Sequence, residues 1–177
     1  MRQDCREPDR ELARGVAKGD EVCVAAFFSA YHAGVYRYML CLTGHPEDAE
    51  DLAQDSLIRA KQNIRTYRGD AALKTWVHRV AFHTFTHWNR GRRPTRSIPD
   101  EELCPSRSLE QVDTTQALLE ALTRLGSALA HPLVLQEIGD MSVDEIARVL
   151  DIPTGTVKSR LHAARARLRQ LLGDIQE

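Results

Sequence analysis

The chain has 177 residues, 42% hydrophobic and 28% charged, with a formal net charge of −1. Such a composition supports one or two small cores and excludes collagen-like, low-complexity and uniformly basic nucleic-acid-binding classes. No run approaches the roughly 20 apolar residues of a membrane span, and the charged start Met1–Glu7 lacks a signal-peptide pattern, so no membrane insertion and a cytoplasmic location are expected.

The average charge hides segregation. Glu47, Asp48, Glu50, Asp51 and Asp55 form an acidic stretch, Arg90, Arg92, Arg93 and Arg96 a basic one, and Lys158, Arg160, Arg165, Arg167 and Arg169 another. Cys5, Cys23, Cys41 and Cys104 show no metal-ligand rhythm. If Cys23 and Cys41 share a helix they stand about 27 Å apart, too far for a disulfide, which implies reduced and mostly buried thiols.

Apolar spacing is helical almost throughout, with no convincing period of two. Val24, Phe27, Phe28, Tyr31, Val35, Tyr38, Met39 and Leu42 line one helix, with Asp20 as its N-cap and Gly44 as its stop. Pro46 opens a second, with Glu47 and Asp48 beside its positive end, that runs through Leu52, Leu57 and Ile64. After Tyr67-Arg68-Gly69-Asp70, a third turns Leu73, Trp76, Val77, Val80, Ala81, Thr84 and Trp88 inward. From Arg92 to about Gln111 the pattern dissolves into prolines, serines and acids, which reads as a linker. Beyond it, Ala117–Leu125 and Pro132–Ile138 are two predicted helices. Ser142 with Glu145 makes a capping box for a short helix ending at Leu150. Asp151-Ile152-Pro153 breaks the chain, and Thr154 is expected to cap a long helix reaching Leu172. Short helix, tight turn and long basic helix make a helix-turn-helix pattern.

Three outward faces carry possible function. On the last helix, Val157, Leu161, Ala164, Leu168 and Leu171 point inward, opposite Gly155, Ser159, His162, Ala163 and Ala166. Lys158, Arg165 and Arg169 flank this low ridge on one side, Arg160 and Arg167 on the other. Such a ridge suits a major groove, with cations on phosphates and short side chains on base edges. On the third helix, Phe82 projects outward among Thr75, Arg79, His83, Thr86, Asn89 and Arg90, as a stacking residue for single-stranded DNA would. Wheel geometry allows equally that Phe82 covers a neighbouring loop. On the second helix, Asp51, Gln54, Asp55 and Ile58 share a face that reads as a protein-docking patch, a weak signal by itself. His83 and His87 have the spacing of a zinc pair, but Thr84 stands where HExxH has Glu and no third ligand is evident. Two polar histidines near a DNA face are the favoured reading, with no metal and no cofactor. Walker A, GxGxxG and GxSxG motifs are missing.

The strings Asp48-Ala49-Glu50-Asp51-Leu52-Ala53-Gln54-Asp55, Tyr67-Arg68-Gly69 and Leu73-Lys74-Thr75-Trp76-Val77 resemble region 2 of bacterial RNA polymerase sigma factors. Ser142–Leu150 followed by Ile152–Leu161 resembles their region 4, and the whole chain is similar to the extracytoplasmic-function (group IV) class over about residues 10–172. The resemblance implies an all-α fold of two small helical domains: residues 1–93 for core polymerase and the −10 element, a flexible linker at 94–112, and a helix-turn-helix domain at 113–177 for the −35 element. It implies that Asp51, Gln54, Asp55 and Ile58 dock on the clamp helices of core RNA polymerase. The −10 element would be melted and held by Tyr67, Arg68, Trp76, Arg79, Phe82, His83, Thr86 and Arg90. The −35 duplex would be read by Thr154, Thr156, Lys158, Ser159, Arg160, His162 and Arg165. Core RNA polymerase, promoter DNA and an anti-sigma factor are the implied partners, and the protein would not be an enzyme. Departures from the family are His83 and His87 where Asn and Asp are commoner, Leu125-Gly126 for a usual Leu-Pro, His131-Pro132 near an expected Arg, and Ala163 for a frequent Arg. The rival readings are a stand-alone helix-turn-helix transcriptional regulator and a metal-dependent enzyme at His83 and His87.

Overall fold

The computed structural model describes residues 7–91 and 114–173, and within them every regular element is a helix. Helices α1 (Glu7–Lys18), α2 (Glu21–Thr43), α3 (Pro46–Asn63) and α4 (Leu73–Gly91) form the N-terminal bundle, with one 3-10 turn at Ile64–Thr66. Helices α5 (Thr114–Arg124), α6 (Ser127–Glu137), α7 (Val143–Leu150) and α8 (Thr154–Gly173) form the C-terminal one. The expected linker at 94–112, and Cys5 and Cys104, lie outside the described residues.

Local chemistry sets the helix ends. Asp20 accepts from the Cys23 amide at 2.9 Å, supplying one of the acceptors that a helix start lacks. Gly44 closes α2 at φ +71°, a left-handed conformation that favours glycine, and a β-carbon there would stand a tight 3.1 Å from the Thr123 side chain of α5. Ser142 and Glu145 form the expected reciprocal box at α7. Thr154 is not a cap: it is the first residue of α8, and the carbonyl of Pro153 receives the first bond, from Val157 at 3.1 Å.

α1 was not expected from the sequence. Its apolar stripe is only Leu12, Ala13, Val16 and Ala17, of which Ala13 and Val16 are buried. α6 also begins earlier than expected, at Ser127, and carries Pro132 within it. Ala130, His131, Pro132, Leu133, Val134 and Leu135 are all buried, a run too long for one face of a helix. The middle of α6 is therefore enclosed on all sides, while Ser127, Ala128 and Glu137 at its ends are exposed. The N-terminal bundle covers one side through α2, while α7 and α8 cover another.

The two bundles share one apolar cluster, from Phe27, Met39, Leu57 and Val77 to Leu135, Ile146, Val157 and Leu161. Fully burying a leucine such as Leu57 or Leu135 stabilises by about 1.5–3 kcal/mol before entropy is counted. α2 packs on α5 and α6, and α4 packs on α7. Cys23 and Cys41, both on α2, are free thiols.

Candidate nucleic-acid and protein interfaces

α3 buries Ala49, Leu52, Ala53, Ser56, Leu57 and Ala60, and the Ser56 hydroxyl is satisfied by the Leu52 carbonyl at 2.6 Å. The opposite face is thereby held outward. Asp51 and Gln54 are exposed, and Ile58 is 46% exposed, one of the few large apolar side chains left in water. Asp55 is half-buried and grips Arg59 with both carboxylate oxygens, at 3.0 and 2.9 Å. Glu50 accepts from Gln54 at 2.9 Å and meets His32 at 3.0 Å; these contacts, Gln54 foremost, hold its carboxyl below the usual range.

α4 faces α3 across a groove of about 670 Å³, where Asp55, Ile58 and Arg59 meet Trp76, Arg79, His83 and His87. Arg79, His83, His87 and Arg90 are exposed, as is Arg68 in the loop before α4. Tyr67 donates its hydroxyl to the Ala71 carbonyl at 2.8 Å and tilts against Trp76, ring centres 5.9 Å apart. A second hollow of about 500 Å³ lies between this loop and Arg79, with Arg148 of α7 on its rim.

Phe82 does not project into solvent. It is half-buried, and its ring meets His131 of α6 edge-on at 4.9 Å. Phe85 takes a second side of the same imidazole at 5.2 Å, and Tyr38 approaches through its hydroxyl. Thr75, expected on the outer face, is 3% exposed and donates to Glu145 of α7 at 3.2 Å. Thr86, half-buried, spends its hydroxyl on the Phe82 carbonyl at 2.8 Å. The C-terminal helices cover this part of α4, which a single-helix wheel could not foresee. Sequence reasoning also missed His78, Tyr38 and Arg148 as neighbours of the site. A histidine between alanine and proline in an apolar run was the available signal for His131.

On α8 the expected inward stripe is observed, with Val157, Leu161, Ala164 and Leu171 buried. Ser159, His162, Ala163 and Ala166 form an exposed ridge, and Lys158 is exposed beside it. Thr154 is exposed, Thr156 and Arg160 half-buried. Arg165 is not free: it donates to Gln136 at 2.8 Å and to Glu137 at 2.9 Å on α6. The exposed start of α8 adds unpaired amides and a positive dipole end, a favourable place for a phosphate. Asp151, at φ +56°, makes the sharp reversal between α7 and α8. Among the described residues no three His, Cys, Asp or Glu side chains gather as metal ligands, and no helix is long and apolar enough to cross a membrane.

Comparison with known proteins places these surfaces in context. Residues 27–95 match the family Sigma-70 region 2, and residues 115–168 match Sigma-70, region 4. The ECF RNA polymerase sigma factor SigM of Mycobacterium tuberculosis (strain ATCC 25618 / H37Rv) is 32% identical over 93% of this chain and 85% of its own length. The ECF RNA polymerase sigma factor SigW of Bacillus subtilis (strain 168) is 27% identical over 94% of this chain and 97% of its own. In fold, the chain is similar to CnrH in complex with the cytosolic domain of CnrY, with a TM-score of 0.71 at 20% identity, covering 94% of this chain and 97% of that one. It is also similar to the sigma factor RpoE in complex with the anti-sigma factor NepR from Bartonella quintana, with a TM-score of 0.69 at 23% identity, covering 82% and 94%.

Proposed function

The chain belongs to the extracytoplasmic-function sigma factors of bacterial RNA polymerase, and on that footing we propose how its surfaces divide the work of transcription initiation. Residues 1–93 bind core polymerase and the −10 element, residues 94–112 connect, and residues 113–177 read the −35 element. Asp51, Gln54, Asp55 and Ile58 dock on the polymerase, the acids steering encounter and Ile58 supplying an apolar anchor. Tyr67, Arg68, Trp76, Arg79, Phe82, His83, Thr86 and Arg90 hold the unpaired −10 strand through stacking and phosphate attraction. Thr154, Thr156, Lys158, Ser159, Arg160, His162 and Arg165 engage the −35 duplex. The work is binding and strand separation in the cytoplasm, with no chemical step by this chain. An anti-sigma factor is a further partner, as the RpoE neighbour has in NepR.

The observation that carries this reading is the groove between α3 and α4, where the acidic, Ile58-bearing face and the cationic face meet. A polymerase-docked protein that captures a strand needs both faces side by side. A stand-alone helix-turn-helix regulator needs neither. Because His131 and Glu145 occupy Phe82 and Thr75, strand capture in this scheme requires α6 and α7 to leave α4.

Run-off transcription with bacterial core polymerase on a promoter library, with and without the protein, tests the reading. Transcripts that depend on the protein are expected. DNA binding without any such transcript would leave the stand-alone regulator as the better account.

A further inference from the structure

α4 starts without a local cap. The two residues before it, Ala71 and Ala72, carry no side-chain oxygen, yet its first residue, Leu73, has a partnered amide. The acceptor comes from α1: Asp9 Oδ2 receives the Leu73 N–H at 2.8 Å, across 64 residues of sequence. A carboxylate at a helix start both fills an open donor and opposes the positive dipole end. α1 touches the preceding segment twice more. The Arg10 guanidinium lies over Gly69, where φ is +77° and a β-carbon would collide with it. Arg65 donates to the Ala17 carbonyl at 3.3 Å. Segment 65–73 is thus gripped near both ends and over its middle by one short helix. Its own cross-bond is that of Tyr67 to Ala71.

α1 lies ahead of residue 27, where the family match begins, and nothing in the site described above uses it. We propose that Asp9 is a positioning residue for −10 readout: by capping α4 from α1 it fixes the shape of the Tyr67–Ala72 loop that meets the unpaired bases. The inference rests on the proposed use of that loop. Asp9 touches no DNA in this scheme. Its effect reaches the bases through the direction in which the loop enters α4 and through the placement of Arg68 and Trp76. Losing a cap of this kind corresponds to about a fivefold fall in the population of the ordered start.

The test uses holoenzyme reconstituted from core polymerase and the full chain, transcribing a library randomised separately at −10 and −35. Wild type is compared with Asp9→Ala, Asp9→Asn and the loop variant Arg68→Ala. Asp9→Ala is expected to flatten −10 preference by about fivefold while sparing −35 preference and co-purification with core. Asp9→Asn keeps a side-chain carbonyl and should restore most of the preference. Amide exchange at Leu73 should quicken in the alanine variant only. If Arg68→Ala shifts −10 preference and Asp9→Ala does not, the bracing role is overturned while the loop reading stands. If neither shifts it, the loop reading falls and the bracing role with it. A uniform loss of output across both libraries, unrelieved by asparagine, makes Asp9 a stability residue and sinks the proposal. Should Asp9→Ala fail to fold, Arg10→Ala loosens Gly69 with the cap intact; it must shift −10 preference in the same direction, and an unchanged profile overturns the proposal.

Discussion

The Tyr38 hydroxyl and Nδ1 of His131 share a hydrogen bond of 2.6 Å, joining α2 to α6 across 93 residues of sequence. Burial pushes the phenol well above its ordinary range, so the proton stays on oxygen. Burial first, and then the charge of Arg160, hold the imidazole down at about 4 from its ordinary 6.5. Both rings are neutral near pH 7, and the bond joins a neutral phenol to a neutral imidazole. Phe82 and Phe85 close the imidazole edge-on, and His78, also held low by burial, meets Tyr38 at 5.9 Å. The contact that joins the two bundles thus takes up part of the face assigned to unpaired DNA.

A pH dependence follows. His131 binds a proton less readily when enclosed than when released, so acid favours release. The packing keeps its full strength above about pH 6.5 and loses it as pH falls toward about 4. The gap between those two values corresponds to roughly 3 kcal/mol. His78 acts in the same direction. Thermal unfolding of wild type and His131→Leu, followed on acidification, checks this. Near neutral pH the variant forfeits about 1–3 kcal/mol because Tyr38 loses its hydrogen-bond partner. It should nevertheless lose less on acidification than wild type. Parallel curves would show that His131 is not the group that titrates.

Phe82→Ala acts at two places. In the free protein it removes an edge-on ring pair with His131, worth about 0.5–1.5 kcal/mol, and loosens the bundles. Under the proposed strand capture it also removes a stacking surface in the open complex, worth about 1–3 kcal/mol per base. Open-complex formation on duplex promoters should fall, and fall less on templates already unpaired at −10. Permanganate footprinting on both templates separates the cases, and an equal loss on each would point to a folding or stacking defect rather than to opening itself.

How far the sequence led depended on how local each cause was. α2 and α7 were legible because their caps lie within one turn of the residues they govern, Asp20 to Cys23 and Ser142 to Glu145, and α3 and α8 because their apolar stripes repeat at helical spacing. α1 escaped because its stripe holds little beyond Leu12 and Val16, and what fixes it is long-range, with Asp9 reaching Leu73. The start of α6 escaped because Ser127 and Ala128 are exposed and the run that follows, Ala130 to Leu135, is buried on every side, leaving no periodicity to read. The outward faces of α3 and α8 were visible on a wheel. That α6 covers Phe82 was not, because a wheel gives direction and never what stands in the way.

The docking face can be tested without disturbing packing. Asp55 is engaged with Arg59, so the substitutions that least affect the helix are Asp51→Arg and Ile58→Glu, both at exposed positions. Breaking a charged pair in a desolvated interface costs about 2–5 kcal/mol. The double variant should keep its helicity by circular dichroism and lose co-purification with core polymerase. Retained co-purification would remove this face from the docking role.

On α8, the proposed phosphate and base contacts separate by position. Lys158 stands on the flank, whereas His162 stands on the exposed ridge with Ser159. Losing a phosphate contact weakens every sequence alike and lowers the salt slope by about 1, while losing a base contact costs about 1–3 kcal/mol of discrimination. Lys158→Ala should therefore weaken binding nearly uniformly across −35 variants. His162→Ala should flatten preference among them and leave the salt slope unchanged. Arg165 adds a third behaviour, because it is bound to Gln136 and Glu137 of α6 and must leave them to reach a phosphate. Glu137→Gln weakens that competition and should tighten duplex binding in a salt-dependent way. All three variants of the full chain can be titrated with salt on a panel of −35 duplexes drawn from the transcribed library. If Lys158 and His162 exchange behaviours, α8 enters the groove rotated about its axis. If none of the three changes binding, the duplex is read elsewhere.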